Sequence, residues 1–467
     1  LKKLFAIDPR GLALFRMAIG VLLLIDLAIR ASDLRSMYTD AGMFPRPLVA
    51  SLFNTVWNWS FHFGGGSTGF EAALFVIAGA LAIALTLGWQ TRLATIGSWL
   101  FLLSVHHRVP AILSGADFLL RMLLFWGMFL PLEGSWARDR RARIDAPVVS
   151  IATAAVLLQI ALMYLMSAIS KTNEHWLRGD ALAGMLSHDF FASRIGAWLL
   201  QFPMLLRLVT WGSFALEWFG PVFLFVPWRN ATVRAVILAL FAAMHIGIAV
   251  CMDVGLFSYV ALAGLLLFVP SEIWNRLFAK SPVRSKTVID WHPLPQSICA
   301  IALGFVLVGN LNALPMRPLR FLAPETWKPF AIGLGLDQHW GMFGAIPTNN
   351  GWYVARATLA DGSEVDLLRN GAPVDWSRPA FPASVYPNAN WQKLFREMAY
   401  YDELGYQVYR LPVAEFMCRE WNARHPAQAQ VDEFEFVYCS AALAPSLLRP
   451  SSKFVRQPLV HLELGGE

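Results

Sequence analysis

Charge is scarce in this chain. Only 15% of its 467 residues are Asp, Glu, Lys or Arg, against 56% that are hydrophobic, whereas a soluble domain carries roughly a quarter charged residues. That deficit excludes an ordinary water-soluble protein. The sequence contains no HExxH, no CxxC, no pair with the spacing of a zinc site and no Gly-rich phosphate loop, so metal and nucleotide chemistry have no support. Ser-His-Asp catalysis has no local signature either, and no internal repeat or low-complexity stretch is visible. The formal charge of +6 and pI near 9.2 do not point to nucleic acid, because the basic residues cluster in short loops. Cysteine is limited to four residues, of which Cys251 and Cys299 lie in apolar runs where a buried thiol is the ordinary reading.

What the chain does have is long apolar runs. Candidate spans lie at roughly 11–30, 70–88, 93–106, 116–132, 148–170, 206–227, 232–251, 255–270 and 297–314. This pattern predicts a polytopic α-helical membrane protein of about nine spans. The first run, after LKKLFAIDPR, is a full span carrying Arg16 and Asp26 and is expected to be retained rather than cleaved. The Trp-rich stretch 51–62 and the segment 178–202 are amphipathic and read as interfacial helices.

Positive charge sets the expected orientation. Lys2, Lys3, Arg10, Arg92, Arg138, Arg140, Arg141, Arg143, Arg229, Arg234, Arg276, Lys280, Arg284 and Lys286 fall in one set of short loops. The opposite connections are longer and carry sparser positive charge. The N-terminus is therefore expected in the cytosol, in a bacterial inner membrane, and everything beyond 315 outside it. Residues 1–316 form the helical membrane domain and 317–467 an extracytoplasmic α+β, β-rich domain. That tail has turn signals, NNG (349–351) and ADGS (360–363), the alternating segments WYVARATL and EVDLL, and helical periodicity over 388–425. Outside the cytosol, Cys418 and Cys439 are either a disulfide or two unpaired thiols.

Ionisable groups inside spans are costly, so each is a site candidate. Arg16 and Asp26 are too far apart on one helix to pair, and each needs a partner elsewhere. Asp117 and Arg121, four apart, are placed to pair with each other. Glu217, in TWGSFALEWFGPVFLF, has no local partner and is expected to be protonated or ion-paired. His245 lies well inside an apolar run, where a packing role competes with a ligand role. His106, His107 and Arg108 end a span near the outer face. Lys171 closes the run 148–170. It is either an interfacial anchor or an amine whose partial desolvation makes it a usable base.

Four stretches in this order resemble the HTTM (horizontally transferred transmembrane) family, whose best-known member is the vitamin K-dependent gamma-carboxylase. They are DPRGLALFRMAIGVLLLIDL (8–27), HHRVPAILSGADFLLRMLLFWGMFLPL (106–132), MYLMSAISKTNEHWLRGDALAGMLSHDFF (163–191) and MHIGIAVCMDVGLFSYV (244–260). The third is the most specific, resembling a Lys-x-x-x-x-Trp-x-x-Gly segment through Lys171, Trp176 and Gly179. A fifth, DQHWGMFGAIP (337–347), resembles a Trp-x-Met segment that begins the lumenal domain. The resemblance covers about 8–275, and more loosely 335–370.

The resemblance implies that Lys171 is the base that deprotonates a reduced quinone, vitamin K hydroquinone or a menaquinol-like molecule. Oxygen then converts the quinol to a strongly basic alkoxide, which removes a γ-proton from a substrate glutamate, and carbon dioxide adds to the carbanion. The resemblance also implicates a histidine of the His106-His107 region near the reaction. Joined with the buried polar residues above, this gives a candidate site with Lys171, His106 and His107 as catalytic residues and His245, Trp176, Arg108 and Glu217 in the substrate or quinone site. A protein or peptide substrate would arrive from the extracytoplasmic side. Ser170 stands where the carboxylase has the first of two adjacent lysines. His175 replaces its acidic residue, with Glu174 one place earlier.

Two functions from different classes follow. One is a quinol-dependent membrane enzyme carrying out glutamate carboxylation or related chemistry. The other is a non-catalytic lipid- or peptide-binding, maturation or transport partner, in which Lys171 is an interfacial lysine and the tail docks a client.

Overall fold

Capping chemistry marks where the apolar runs become helices. The structure, a computed structural model, describes residues 2–52, 57–139, 144, 146–188, 190–278, 287–289, 292–314, 326–346, 349–379, 385–400, 406–442 and 454–464. Helix α1 (Pro9–Ser32) starts at Asp8, whose side chain accepts from the Arg10 N–H, with Pro9 at its first position. Helix α2 (Thr68–Leu87) is capped by Ser67 and stopped by Gly88, whose φ of +68° suits glycine. Then follow α3 (Thr91–Arg108) and α4 (Gly115–Gly127). Ser150 and Thr153 form a reciprocal capping box at the start of α5 (Ile151–Ser170). The bundle continues with α6 (Pro203–Phe223), α7 (Asn230–Cys251), α8 (Phe257–Leu265) and α9 (Pro293–Asn312).

Five helices, α1, α2, α5, α7 and α9, are each long and apolar enough to cross a bilayer, and the pair Phe257–Phe268 and Ser271–Leu277, bent by 99°, is a sixth candidate among the described residues. About nine were expected. Helix α4 has only 13 residues, about 20 Å at 1.5 Å per residue, which is shorter than a hydrocarbon core of roughly 30 Å. Burial ranks the spans. α5 is 67% buried and central, whereas α2 and α7, at 22% and 17%, present most of their surface outward.

The expected interfacial helices are broken into short pieces. Segment 178–202 holds helices Ala181–Leu186 and Arg194–Leu199 joined by irregular chain. Stretch 51–62 joins the end of the helix Arg46–Leu52 to a turn at Phe61–Gly64, with 53–56 outside the described residues.

The tail is a five-stranded antiparallel sheet, β1 (Asn349–Leu359), β2 (Glu364–Asp366), β3 (Ala372–Pro373), β4 (Val431–Ala442) and β5 (Val455–Glu463), in the order β3-β2-β1-β4-β5. The ADGS turn joins β1 to β2 as expected, with Gly362 at φ +84°. NNG is no turn: Asn349, Asn350 and Gly351 open β1 and pair with Ala442, Ala441 and Ser440. Helices α10 (Ala389–Tyr400) and α11 (Arg410–Asn422) supply the expected helical segment. They pack on the face made by Tyr353, Ala355, Ala357, Phe434, Phe436 and Tyr438.

Alternation along β4 also decides the cysteines. Cys418, on α11, lies in that shared core, while Cys439 points to the opposite face with Trp352, Val354 and Val437. Both are free thiols, so the disulfide alternative is corrected to two unpaired cysteines on opposite sides of a sheet. Burial pushes the Cys418 thiol up to about 12 and the Cys439 thiol to about 11, which keeps both unreactive at neutral pH. After denaturation without reductant, a maleimide is expected to label both. A mass deficit of two labels in the tail would show the bridge instead.

Candidate functional site

Helix α5 delivers Lys171 as its C-terminal cap, with the backbone N–H bonded to the Ala168 carbonyl. The side chain is buried, and Nζ donates to both carboxylate oxygens of Glu217 at 2.6 Å. Glu217 belongs to the inward stripe of α6, with Leu206, Thr210, Gly220 and Pro221. Glycine is needed at 220, because a Cβ there would meet the Phe241 ring at 2.8 Å. The ammonium also lies 4.8 Å from the centre of the Trp176 ring. Trp176 rides on the short helix Glu174–Arg178, which the Asn173 side chain caps and Gly179, at φ +80°, ends.

The segment 337–346 closes this corner. The Trp176 indole N–H donates to the Phe343 carbonyl at 2.9 Å, and Asn173 donates its side-chain amide to the Gly344 carbonyl. A Cβ at Gly344 would stand 2.9 Å from the Ser170 carbonyl oxygen. Chain from beyond α9 therefore covers one side of the Lys171 centre.

His245 joins the same centre. With Arg234, Leu238 and Phe241 it forms the buried stripe of α7, and its Nε2 lies 2.7 Å from the Tyr164 hydroxyl. Tyr164 stacks on Phe241 at 4.1 Å, and Phe257 sets its edge against the imidazole. His245 is within electrostatic reach of Lys171, and Tyr164 of Glu217. Four of the expected residues, Lys171, Glu217, Trp176 and His245, thus come together. Tyr164 was missed from the sequence, although it lies seven residues before Lys171 on one helical face.

His106, His107 and Arg108 go elsewhere. His106 Nε2 lies 3.2 Å from Asp117 Oδ1. The Nδ1 of His107 faces the Trp59 carbonyl at 2.7 Å and its Nε2 the Ile332 carbonyl at 3.1 Å. Arg108 donates to the carbonyls of Phe44 at 2.6 Å and Tyr38 at 2.7 Å. These contacts hold loops together, whereas His106 belongs to a second polar centre. There Arg30 bonds Asp26 at 2.8 Å, the Tyr38 hydroxyl at 3.1 Å, and Asp117. Asp117 also accepts from the Ser114 N–H at 2.7 Å.

Two expectations change here. Asp117 does not pair with Arg121: Arg30 takes it, while Arg121 crosses to Asp337 at 2.8 Å. Asp26 finds its partner on its own helix, Arg30 four residues on. Arg16 does need other elements, and it donates to the carbonyls of Leu85 and Thr86 at 2.9 Å and Trp136 at 2.8 Å.

The tail reaches this second centre through α10. Asp33 accepts from the side chains of Asn388 at 2.8 Å, Asn390 at 3.2 Å and Trp391 at 2.9 Å. Lys393 bonds Glu397 and lies within electrostatic reach of Asp117. Burial lowers its pKa, Arg396 pushes the same way, and Glu397 opposes them. Among the described residues, no group of three His, Cys, Asp or Glu side chains is arranged to hold a metal ion.

Comparison with known families gives one match. The HTTM domain model covers residues 5–274, more than half of the chain. No solved structure matches.

The Lys171–Glu217 pair makes a stability prediction. Lys171→Ala or Glu217→Ala alone strands a buried charge and is expected to cost about 3–5 kcal/mol, whereas Lys171→Met with Glu217→Leu should recover most of it. Unfolding of the detergent-solubilised variants measures this. Single variants as stable as the parent would refute the pairing.

Proposed function

The chain belongs to the HTTM domain family, and from that premise we propose that it is an integral membrane enzyme resembling the vitamin K-dependent gamma-carboxylase. In this reading a reduced quinone works with Lys171 to modify a protein or small substrate, by glutamate carboxylation or related chemistry. One observation carries it. A buried amine, 2.6 Å from both oxygens of a buried carboxylate and beside Trp176, stands at the end of a bilayer-length helix. The tail lies outside the cytosol of a bacterial inner membrane, and a peptide client reaches the centre from that side.

A lysine acts as a base only when neutral. Moving one proton from Lys171 to Glu217 across the 2.6 Å contact converts the ion pair into a neutral amine and a neutral carboxylic acid. The amine then accepts a proton from a hydroxyl placed beside it, and Glu217 holds the resulting ammonium in position. A reduced quinone, when bound, supplies that acidic hydroxyl and the reducing electrons. The donor set suits such a group: an amine–carboxylate pair, a phenol–imidazole pair and the rings of Trp176, Phe241 and Phe257. His245 and Trp176 form its walls. Arg108 and His107 contribute support, since both terminal nitrogens of the Arg108 guanidinium and both ring nitrogens of His107 face backbone carbonyls.

The same pair favours a second reading. Lys171 already spends its charge on Glu217, as a structural tie between α5 and α6 would. A non-catalytic lipid- or peptide-binding partner needs nothing more of it.

Mass spectrometry of small molecules that co-purify with the protein in lipid separates the two. The enzyme reading expects a quinone in the parent protein that is lost in Lys171→Ala. A phospholipid in both supports the second reading. With a supplied quinol and an acceptor peptide, Lys171→Ala is expected to lower turnover by about 10²–10⁴-fold, the usual worth of a positioned base. Full turnover in that variant would remove Lys171 from the chemistry.

A further inference from the structure

We propose that an anionic phospholipid docks on the rim of the bundle, with its phosphate held by Arg207 of α6 and by Arg178 beside it. The inference is independent of the quinol reading, since it involves neither Lys171 nor its partners.

Arg207 stands on the wrong face of α6 for an internal partner. The inward stripe of that helix holds Leu206, Thr210 and Glu217, which leaves Arg207 outside it and exposed. Its same-face neighbours, three residues before and four after, are Met204 and Trp211. Met204 is 63% exposed and Leu208, the next residue along, 58%. A helix face this apolar meets acyl chains. Among the described residues, nothing forms a hydrogen bond or ion pair with the Arg207 guanidinium. A cation on such a face needs an anion, and the anion that lipid supplies is a phosphodiester.

Depth agrees with that partner. Leu206 packs with Met252, the residue that ends α7, and α7 is long and apolar enough to cross a bilayer. Arg207 therefore lies at the end of a span, where a long side chain reaches the headgroups while its stem stays among apolar groups.

A second guanidinium is built in beside the first. A Cβ at Gly179 would stand 2.5 Å from Arg207 Cγ and 2.8 Å from the Trp211 ring, so the Arg207 stem lies directly on the backbone that follows Arg178. The Trp211 indole N–H donates to the Leu177 carbonyl at 3.0 Å and fixes the two segments together. Arg178 bonds Glu174, but both side chains are about two-thirds exposed, and an exposed pair of this kind is weak. Guanidinium forks match phosphate oxygens in geometry as well as charge.

The carboxylates of this turn select the headgroup. Glu174 is engaged by Arg178, and Asp180 by His175 at 3.0 Å. Neither is free to receive the cation of a zwitterionic lipid, so phosphatidylglycerol fits the site and phosphatidylcholine does not. Trp176 shares its short helix with Arg178. A phosphate bridging Arg178 and Arg207 thus braces the helix whose indole covers the Lys171 ammonium.

Lipid retention tests the site. The full chain, in nanodiscs of phosphatidylcholine with a titrated fraction of phosphatidylglycerol, is released and its bound lipids are counted by native mass spectrometry. The parent is expected to retain phosphatidylglycerol in preference to phosphatidylcholine. Arg207→Gln should bind it roughly tenfold more weakly, the loss of one hydrogen bond to a charged group. Arg92→Gln, at an exposed arginine near the start of α3, should match the parent. Equal retention by the parent and Arg207→Gln overturns the site, as does equal weakening in Arg92→Gln or a parent that does not distinguish the two lipids. Displacement of phosphatidylglycerol by inorganic phosphate overturns the lipid as the occupant. Should Arg207→Gln fail to fold, p-benzoylphenylalanine at position 208 of the otherwise native chain photocrosslinks the adjacent lipid. From an equimolar mixture the adducts should be mainly phosphatidylglycerol, and a proportionate yield refutes the preference. A phospholipid lost in Arg207→Gln belongs to this rim site. One that persists in both Arg207→Gln and Lys171→Ala lies elsewhere, and its retention by Arg207→Gln counts against the site.

Discussion

A charge buried away from water is tolerable only when an opposite charge or a ring of carbonyls meets it, and this bundle is organised around that requirement. Lys171 meets Glu217, Arg30 meets Asp26 and Asp117, Arg121 meets Asp337, and Arg16 meets three carbonyls. All but one of these ties join separate segments of the chain. The Lys171 pair binds α5 to α6, and Arg30 binds α1 to α4. Helix packing in lipid gains little from the hydrophobic effect between helices, so such polar ties carry positional information that apolar side chains cannot.

The segment after α9 extends the same logic. Asp337 takes Arg121, Gln338 bonds Gln159 of α5 at 2.7 Å, and the Phe343 and Gly344 carbonyls cover Trp176 and Asn173. Asp33 holds the start of α10. The tail is thus attached at both polar centres. The two centres stay distinct: Phe257 touches His245 on one side and stands near Gly115, at the start of α4, on the other.

Much of this was legible residue by residue. Trp176 and Gly179 were assigned to the Lys171 corner through the resemblance of 163–191 to the family's Lys-x-x-x-x-Trp-x-x-Gly segment, and the structure sets Trp176 against the ammonium and Gly179 at the left-handed end of its helix. Glu217 was recognisable as a carboxylate in need of a partner, though not as the partner of Lys171. The His106–Arg108 run entered the candidate site through the family resemblance, and the structure sets its three side chains on different partners. On a helix, successive side chains point about 100° apart, so the three diverge to Asp117, to two carbonyls and to two others. Tyr164 carried only the seven-residue spacing as a signal, and tyrosine within an apolar run is ordinary.

By itself the sequence determined what depends on neighbours along the chain. Apolar length made spans, caps set their ends, alternation made strands, and scarce buried charges announced themselves as residues needing partners. Tertiary structure alone decided which charge met which, because Lys171 and Glu217 are 46 residues apart and Arg121 and Asp337 are 216 apart. Nothing local encodes those meetings. It also decided that Cys418 and Cys439 lie across a sheet from each other, since the register of β4 against β1 sets which face each side chain takes.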